Sequence, residues 1–224
     1  MSKSNSPDKT PLEFWHQERR VLFTPGDGEY NACLNFNHDM STGYVEGYRR
    51  GAKLLFDSLG ESTSNIDFLV YPILFCYRHH IEVQLKRILN YGLFLVKKQE
   101  GIGGHDIKIL WERVKGIIRQ NYKGGGNIRF AEAVEYFILQ IHDIDPDSTE
   151  LRYNKKLDNS KSLKDIKHID LKNSVRILEE LCNALDAIYM TFQRDFETAC
   201  ETLDMLGYFD ENGWLDWERY TQDI

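Results

Sequence analysis

Apolar residues recur at helical spacing along five stretches of this 224-residue chain. A helix places residues three or four apart on the same face, so this spacing indicates amphipathic α-helices rather than strands. The predicted helices cover residues 44–59, 67–98, 107–120, 128–142 and 171–196, and glycine-containing breaks separate the first four of them. We therefore predict an all-α fold, an up-and-down helical bundle of about five helices.

Three aspartates stand just before or at the start of predicted helices, where an acidic side chain can accept the first free backbone N–H groups. We predict Asp67, Asp106 and Asp170 as N-caps. Pro72 lies five residues into the second helix, where it can tilt the first turn. The longest apolar stripe belongs to this same helix. It consists of Leu74, Tyr77, Ile81, Leu85 and Ile88.

The last predicted helix carries an unusually regular apolar pattern. Its apolar positions alternate in spacing between four and three, which gives a 3.5-residue repeat typical of a bundle or coiled-coil seam. We predict that the chain forms a homodimer through this seam, with packing inside one chain as the alternative. The seam positions are Leu171, Val175, Leu178, Cys182, Leu185, Tyr189, Phe192 and Phe196.

The pattern divides the chain into three segments. Residues 1–43 are irregular, with a short hairpin predicted between Val21 and Phe36, and residues 44–197 form the helical bundle. Residues 198–224 form an acidic, aromatic tail. We expect this tail to fold back on the bundle and bury its aromatic side chains. Docking to a protein partner is the alternative for the tail.

Composition narrows the class of protein. Hydrophobic residues make up 42% of the chain and aromatic residues 12%, which is typical of a globular protein with a real core. No uninterrupted apolar run reaches the length of a membrane span, and the N-terminus lacks the apolar segment of a secretory signal. The four cysteines are scattered. We therefore expect a cytoplasmic protein without a metal or another cofactor.

Charge is unevenly placed along the chain. From Leu178 to the end there are twelve acidic residues against two arginines, a net charge of −10, although the whole chain carries −7. Between Arg152 and Arg176 there are eight basic and three acidic residues, a local charge of +5. Overall acidity argues against unspecific DNA binding, but the basic stretch leaves an anionic partner open.

The second predicted helix combines its apolar stripe with a polar arc. Arg78, His79, Glu82 and Lys86 fall within about a quarter-turn beside the stripe. Ordinary ion pairing along the helix is one interpretation of this arc. The other is a site that cleaves RNA without a metal, in which Arg78 and Lys86 hold a phosphate while His79, tuned by Glu82, moves a proton. His80 lies further round the helix, and we predict that it faces solvent or a partner.

Two further short motifs add candidate residues. His105 and Asp106 follow glycines at a predicted helix start, where the free N–H groups favour an anion or where Asp106 simply caps the helix. Arg152 and Tyr153 close the turn after Pro146, either as a structural anchor or as a cation and a stacking plane beside His79. The chain has no phosphate-binding P-loop, no His-Glu-x-x-His zinc motif and no Gly-x-Ser-x-Gly nucleophile motif.

These motifs together resemble those of the HEPN superfamily. The resemblance rests on Tyr77-Arg-His-His-Ile-Glu-Val-Gln-Leu-Lys86, on Gly104-His-Asp-Ile107, and on Asp145-Pro-Asp-Ser followed by Leu151-Arg-Tyr153. It covers roughly residues 44–195. It implies a helical bundle that is usually dimeric and often serves as a toxin, an antitoxin partner or an antiviral component.

The resemblance also implies an activity. Active HEPN proteins are metal-independent ribonucleases whose hallmark is an Arg followed, after four to six residues, by a His. This chain has no such pair, because Val83, Gln84 and Leu85 stand at the corresponding positions after Arg78. The implied catalytic residues are Arg78, His79, Glu82 and His105, with Lys86, Arg152 and Tyr153 binding RNA. A non-catalytic bundle that pairs with another protein, as an antitoxin-like partner does, is the alternative.

Overall fold

A 30-residue helix stands at the centre of the bundle. The computed structural model describes residues 28–34, 40–60, 64–156 and 158–222. In these ranges it contains six helices and no strand, which confirms the predicted all-α bundle. The helices are α1 (Ser41–Asp57), α2 (Ile66–Leu95), α3 (Ile107–Asn121), α4 (Gly125–Ile144), α5 (Leu171–Met205) and α6 (Trp217–Gln222).

The long helix α2 packs against α1, α3 and α5, and α4 covers α3. The predicted stripe on α2 is confirmed, because Tyr77, Ile81, Leu85 and Ile88 are fully buried in the core shared with these neighbours. A helix surrounded by three others has little surface left for solvent. This position determines the environment of every polar side chain on α2.

The helix starts follow the predictions in two of three cases. Asp106 accepts hydrogen bonds from the backbone N–H groups of the second and third residues of α3, at 2.9 and 3.2 Å. Asp170 accepts from Asn173 N at 3.0 Å. The prediction for Asp67 is wrong, because α2 begins one residue earlier, at Ile66, and Asn65 stands at the cap position. Asp67 lies instead in the first turn, where its charge favours the positive end of the helix.

The regular seam of α5 packs inside the chain. Its positions from Leu171 to Phe192 belong to the bundle core or pack against it. The last position, Phe196, contacts the rings of Tyr91 and Phe94 at centroid distances of 4.9 and 4.7 Å. The seam is therefore occupied by α2, and the alternative of packing within one chain is the observed one.

Close approach of three helices occurs at Gly92 on α2. A Cβ atom at this position would lie 2.8 Å from the ring of Phe192 on α5 and 2.9 Å from Ile117 on α3. Both side chains are buried, so neither can move aside freely. Glycine at this position is therefore a packing requirement.

The acidic tail folds back on the bundle, as predicted from its aromatic residues. Tyr220 on α6 is buried and stacks on Phe94 at a centroid distance of 5.4 Å. Lys97 Nζ donates to the Tyr220 carbonyl at 2.7 Å. Trp217 also contacts Phe94, whereas Trp214 remains 74% exposed. Helix α5 itself continues unbroken to Met205 before the tail begins.

Residues 1–38 form a separate unit from residues 39–224. Of this first unit only 28–34 are described, and Gly28 O accepts a hydrogen bond from Asn31 N at 3.1 Å in a turn. The hairpin predicted for residues 21–36 lies largely outside the described residues. Along the described chain, no helix is long and apolar enough to cross a membrane.

Candidate functional site

The polar arc on α2 forms a cluster centred on Glu82. Arg78 Nη1 donates to Glu82 Oε2 at 2.8 Å, and Lys86 Nζ donates to Glu82 Oε1 at 2.8 Å. The ion pairs expected from the i, i+4 spacing are therefore present. They differ from ordinary surface pairs because both Arg78 and Glu82 are only 1% exposed. A carboxylate and a guanidinium buried this deeply must be satisfied by protein groups.

Arg78 satisfies its remaining donors with backbone carbonyls from two loops. Its Nε donates to Asp145 O at 3.1 Å, and its Nη2 donates to His105 O at 2.7 Å and to Pro146 O at 3.3 Å. The carboxylate of Asp145 lies 3.5 Å from the same Nε. Arg78 thus ties α2 to the loop before α3 and to the turn after α4. With each guanidinium nitrogen donating to a protein acceptor, it is a structural cation.

His105 reaches the cluster from the loop that precedes α3. Gly104 adopts a φ of 84°, which other residues rarely adopt, and this turn directs the chain back towards α2. His105 Nδ1 then lies 2.8 Å from Glu82 Oε1. Because a carboxylate only accepts hydrogen bonds, Nδ1 carries the proton and Nε2 is left to the outside. The side chain of His105 is 68% exposed.

Electrostatics keep Glu82 in its charged form. Burial alone would raise the pKa of Glu82, but hydrogen bonds from Lys86, His105 and Arg78 outweigh it and lower the pKa below the ordinary value. One oxygen serves the buried Arg78, whereas the other serves Lys86 and His105, whose side chains are accessible from outside. The cluster therefore presents an oriented imidazole and an ammonium group side by side on one buried carboxylate.

His79 has a different environment from the one predicted. Its ring packs edge-on against Tyr48 at 4.3 Å and stacks with Phe75 at 5.7 Å, between ring centroids. Burial lowers its pKa, and the opposing charge of Glu82 is a smaller influence. The histidine that hydrogen-bonds to Glu82 is His105, whereas Glu82 acts on His79 only through its charge, which raises the pKa of His79 against the larger effect of burial. Half-buried His79 is an aromatic contact between α1 and α2.

His80 is fully buried, and the prediction that it faces solvent or a partner is wrong. The face of α2 on which it lies is covered by α1. Its Nδ1 lies 2.9 Å from Val45 O, and because a carbonyl only accepts, Nδ1 donates this hydrogen bond. Burial lowers the pKa of His80, so the ring is held neutral between the helices.

Arg152 lies beside Phe75 and Tyr153 rather than in the Glu82 cluster. The guanidinium carbon of Arg152 is 5.8 Å from the centroid of Phe75, which stacks on His79. Arg152 Nε also donates to Ser148 O, the anchoring role that was the alternative. The phenol ring of Tyr153 is exposed. The anchoring alternative is therefore observed, and the role of Arg152 as a cation beside His79 stays a prediction.

A cavity of about 900 Å³ lies between the start of α2 and residues 150–171. Arg152 and Tyr153 line it, whereas Arg78, His79, Glu82 and Lys86 do not. The candidate residues therefore separate into two places, the Glu82 cluster and this cavity. Sequence reasoning singled out the basic stretch that contributes to the cavity but not the cavity itself.

A second polar cluster was missed by the sequence analysis. Arg49 on α1 donates to Glu179 at 2.6 Å and to Asp186 at 2.8 Å, both on α5. From α2, Tyr77 donates to Glu179 and Gln84 donates to Asp186, at 2.7 and 2.8 Å. This cluster ties three helices together. The signal in the sequence was the i, i+7 spacing of Glu179 and Asp186 beside the apolar seam.

Comparisons of the chain with protein-family models, with curated proteins and with solved structures give no match. The chain is therefore classified by its fold alone, as an all-helical bundle. Among the described residues, no group of three or more His, Cys, Asp or Glu side chains is arranged to hold a metal ion.

Proposed function

We propose that this chain is a HEPN-like protein that acts on RNA and cleaves it without a metal at the Glu82 cluster. The observation that carries the proposal is the hydrogen bond of 2.8 Å between His105 Nδ1 and the buried carboxylate of Glu82. A carboxylate that fixes one ring nitrogen holds the imidazole in a defined tautomer and orients the other nitrogen for proton transfer. The family likeness rests on the sequence motifs of α2 and of residues 104–107 and 145–153.

The chemistry requires two services, a base for the 2′-hydroxyl and a cation for the charge that develops on the phosphate. His105 supplies the first through Nε2. Lys86, which is 27% exposed and shares Glu82 Oε1 with His105, supplies the second. Arg78 acts as a positioning residue, because it holds Glu82 from the inside and binds the carbonyl of His105.

The cellular role that follows from the family likeness is a nuclease of a toxin–antitoxin pair or of antiviral defence. A homodimer, which the likeness also implies, would use a surface other than the α5 seam. Charge supports an RNA partner, since the stretch 152–176, which begins with Arg152 and Tyr153, carries +5. In this proposal these two residues bind RNA outside the Glu82 cluster, Tyr153 by stacking and Arg152 by charge.

The experiment is an RNA-cleavage assay with purified protein in the presence of a chelator. His105→Ala removes the proposed base from an exposed position, so folding is retained while cleavage falls by about a hundredfold or more. Met190→Ala, another neutral and exposed substitution, lies on α5 outside the residues assigned to RNA and is the control that leaves cleavage unchanged. If wild type cleaves no RNA, or if both variants cleave like wild type, the nuclease proposal is refuted.

A non-catalytic role as a protein-interaction module is the second candidate. One observation favours it: Met205, Leu206 and Trp214 are strongly exposed at the acidic end of the chain. Apolar side chains exposed among acidic residues suit a basic protein partner. Under this alternative, Trp214→Ala abolishes partner capture from the native host, whereas His105→Ala has no effect on it.

A further inference from the structure

The cavity beside the start of α2 has an aliphatic floor. Six side chains from α2 and from residues 163–169 are only partly buried where they line it. These partly buried side chains give the cavity an apolar surface that a ligand can cover. A volume of about 900 Å³ is within the range of small-molecule sites. The floor consists of Ile66, Val70, Leu74, Leu163, Ile166 and Ile169.

The wall opposite α2 is held in a fixed shape by Glu150. This buried carboxylate accepts the backbone N–H of Leu163 at 3.0 Å and also binds Lys156. Leu163 itself has a φ of 51°, a left-handed conformation that costs a non-glycine residue about 1 kcal/mol or more. A strained residue persists only where the surrounding contacts determine it. The cavity is therefore a built feature and not a gap in a loose loop.

The rim of the cavity is positively charged. Arg152, Lys155, Lys161 and Lys167 line it, and all four are exposed. The two acidic lining residues are Glu150, whose charge is paired with Lys156, and Asp67. The rim thus has an excess of positive charge over an apolar floor, which suits a ligand with an anionic group and an apolar body.

We propose that this cavity binds a small organic anion with an aliphatic body, of the class of medium-chain fatty acids. The floor favours an acyl chain over a nucleobase, because its six side chains are aliphatic and offer no hydrogen-bond partners for base edges. The aromatic side chains that line the cavity, Tyr71 and Tyr153, are exposed at 49% and 58% and stand at its mouth. The carboxylate lies among the lysines, and the chain lies along α2.

The test is calorimetric titration of the full chain with decanoate. Lys161→Ala/Lys167→Ala removes two charges of the rim, and we expect it to weaken decanoate binding by about tenfold or more. The matched control is Lys164→Ala/Lys172→Ala, which removes two exposed charges from neighbouring positions that do not line the cavity. It keeps wild-type affinity. Decanol, which lacks the carboxylate, binds more weakly than decanoate to wild type and equally to both variants.

Several outcomes would overturn the proposal. Absence of decanoate binding by wild type is one, and equal weakening in both double variants is another, since it would indicate unspecific charge attraction. Tighter binding of adenosine monophosphate than of decanoate would assign the cavity to nucleotides instead. Because the substituted lysines are exposed, the variants remain folded, and thermal unfolding checks this. Decanoate is titrated in the absence of RNA, so this result stands or fails whether or not the chain cleaves RNA, although Arg152 and Tyr153 serve both proposals.

Discussion

Removal of the Arg78 side chain is the perturbation that most directly tests how the Glu82 cluster is held together. In Arg78→Met an uncharged, unbranched thioether side chain replaces a guanidinium that is 1% exposed. The buried carboxylates of Glu82 and Asp145 lose their shared cation, and three backbone carbonyls lose a donor. Breaking a buried ion pair from one side typically costs about 3 to 5 kcal/mol.

The lower part of that range applies here, because Glu82 keeps Lys86 and His105 as partners. We therefore expect a loss of about 3 kcal/mol in the free energy of unfolding, a large share of the 5 to 15 kcal/mol typical of a domain. Arg78→Lys keeps the charge but not the planar fork, so one ammonium group cannot reach acceptors on two loops. The stability lost in Arg78→Lys should therefore be smaller than that lost in Arg78→Met, but not zero.

Urea unfolding followed by far-UV circular dichroism measures these differences through the transition midpoint. Arg50→Ala is the matched control, because Arg50 pairs with Glu46 at 3.3 Å on the same i, i+4 spacing but is 76% exposed. Its effect should stay within about 0.5 kcal/mol. The double variant Arg78→Met/Glu82→Gln should lose less than the two single losses added together, since no unpaired charge remains at Glu82. If Arg78→Met is as stable as Arg50→Ala, the buried cluster does not hold the loops.

Three further predictions concern packing, the tail and pH. In urea unfolding, Gly92→Ala should destabilise the chain by about 1 to 3 kcal/mol, because its Cβ would collide with buried side chains. Gly116→Ala on α3 has open space around the added Cβ and should stabilise the chain by about 0.5 to 1 kcal/mol. Tyr220→Ala should make the tail measurably more sensitive to limited proteolysis, and exposed Trp214→Ala should not. The pKa of Glu82 is lowered in the folded state. The charged carboxylate therefore stabilises the fold fully above its ordinary pKa of 4.5, and this stabilisation is lost as the pH falls through the pKa of the folded state. Glu82→Gln should therefore remove part of the acid-induced loss of stability.

Local spacing predicted the parts of this structure that depend on neighbours along one helix. The stripe from Tyr77 to Ile88 and the pairs of Glu82 with Arg78 and Lys86 follow directly from helical geometry, and all are present. The caps at Asp106 and Asp170 are local in the same sense. The ion pairs join residues four positions apart and the caps join residues two or three apart, so tertiary packing has little freedom to alter them.

Tertiary packing determined the burial of His80, the position of His105 and the cavity beside α2. Distance from the apolar stripe suggested that His80 is exposed, but α1 covers that face and supplies Val45 O as its partner. His105 reaches Glu82 across 23 positions through a loop whose direction depends on the φ of Gly104, and no periodicity encodes such a turn. The cavity beside α2 is formed by residues 150–171, which have no helical pattern before Leu171. Its lining could not be predicted for this reason.

The two oxygens of Glu82 separate the contacts that hold the fold from those of the proposed site. Oε2 binds Arg78, which is buried and fixes two loops, so substitutions on that side report on stability. Oε1 binds Lys86 and His105, which are accessible, so substitutions there leave the core intact and report on activity. A loss of activity in Arg78→Met therefore says little about the reaction until its stability is known. A loss in His105→Ala with unchanged unfolding, by contrast, can only come from the imidazole that Glu82 orients.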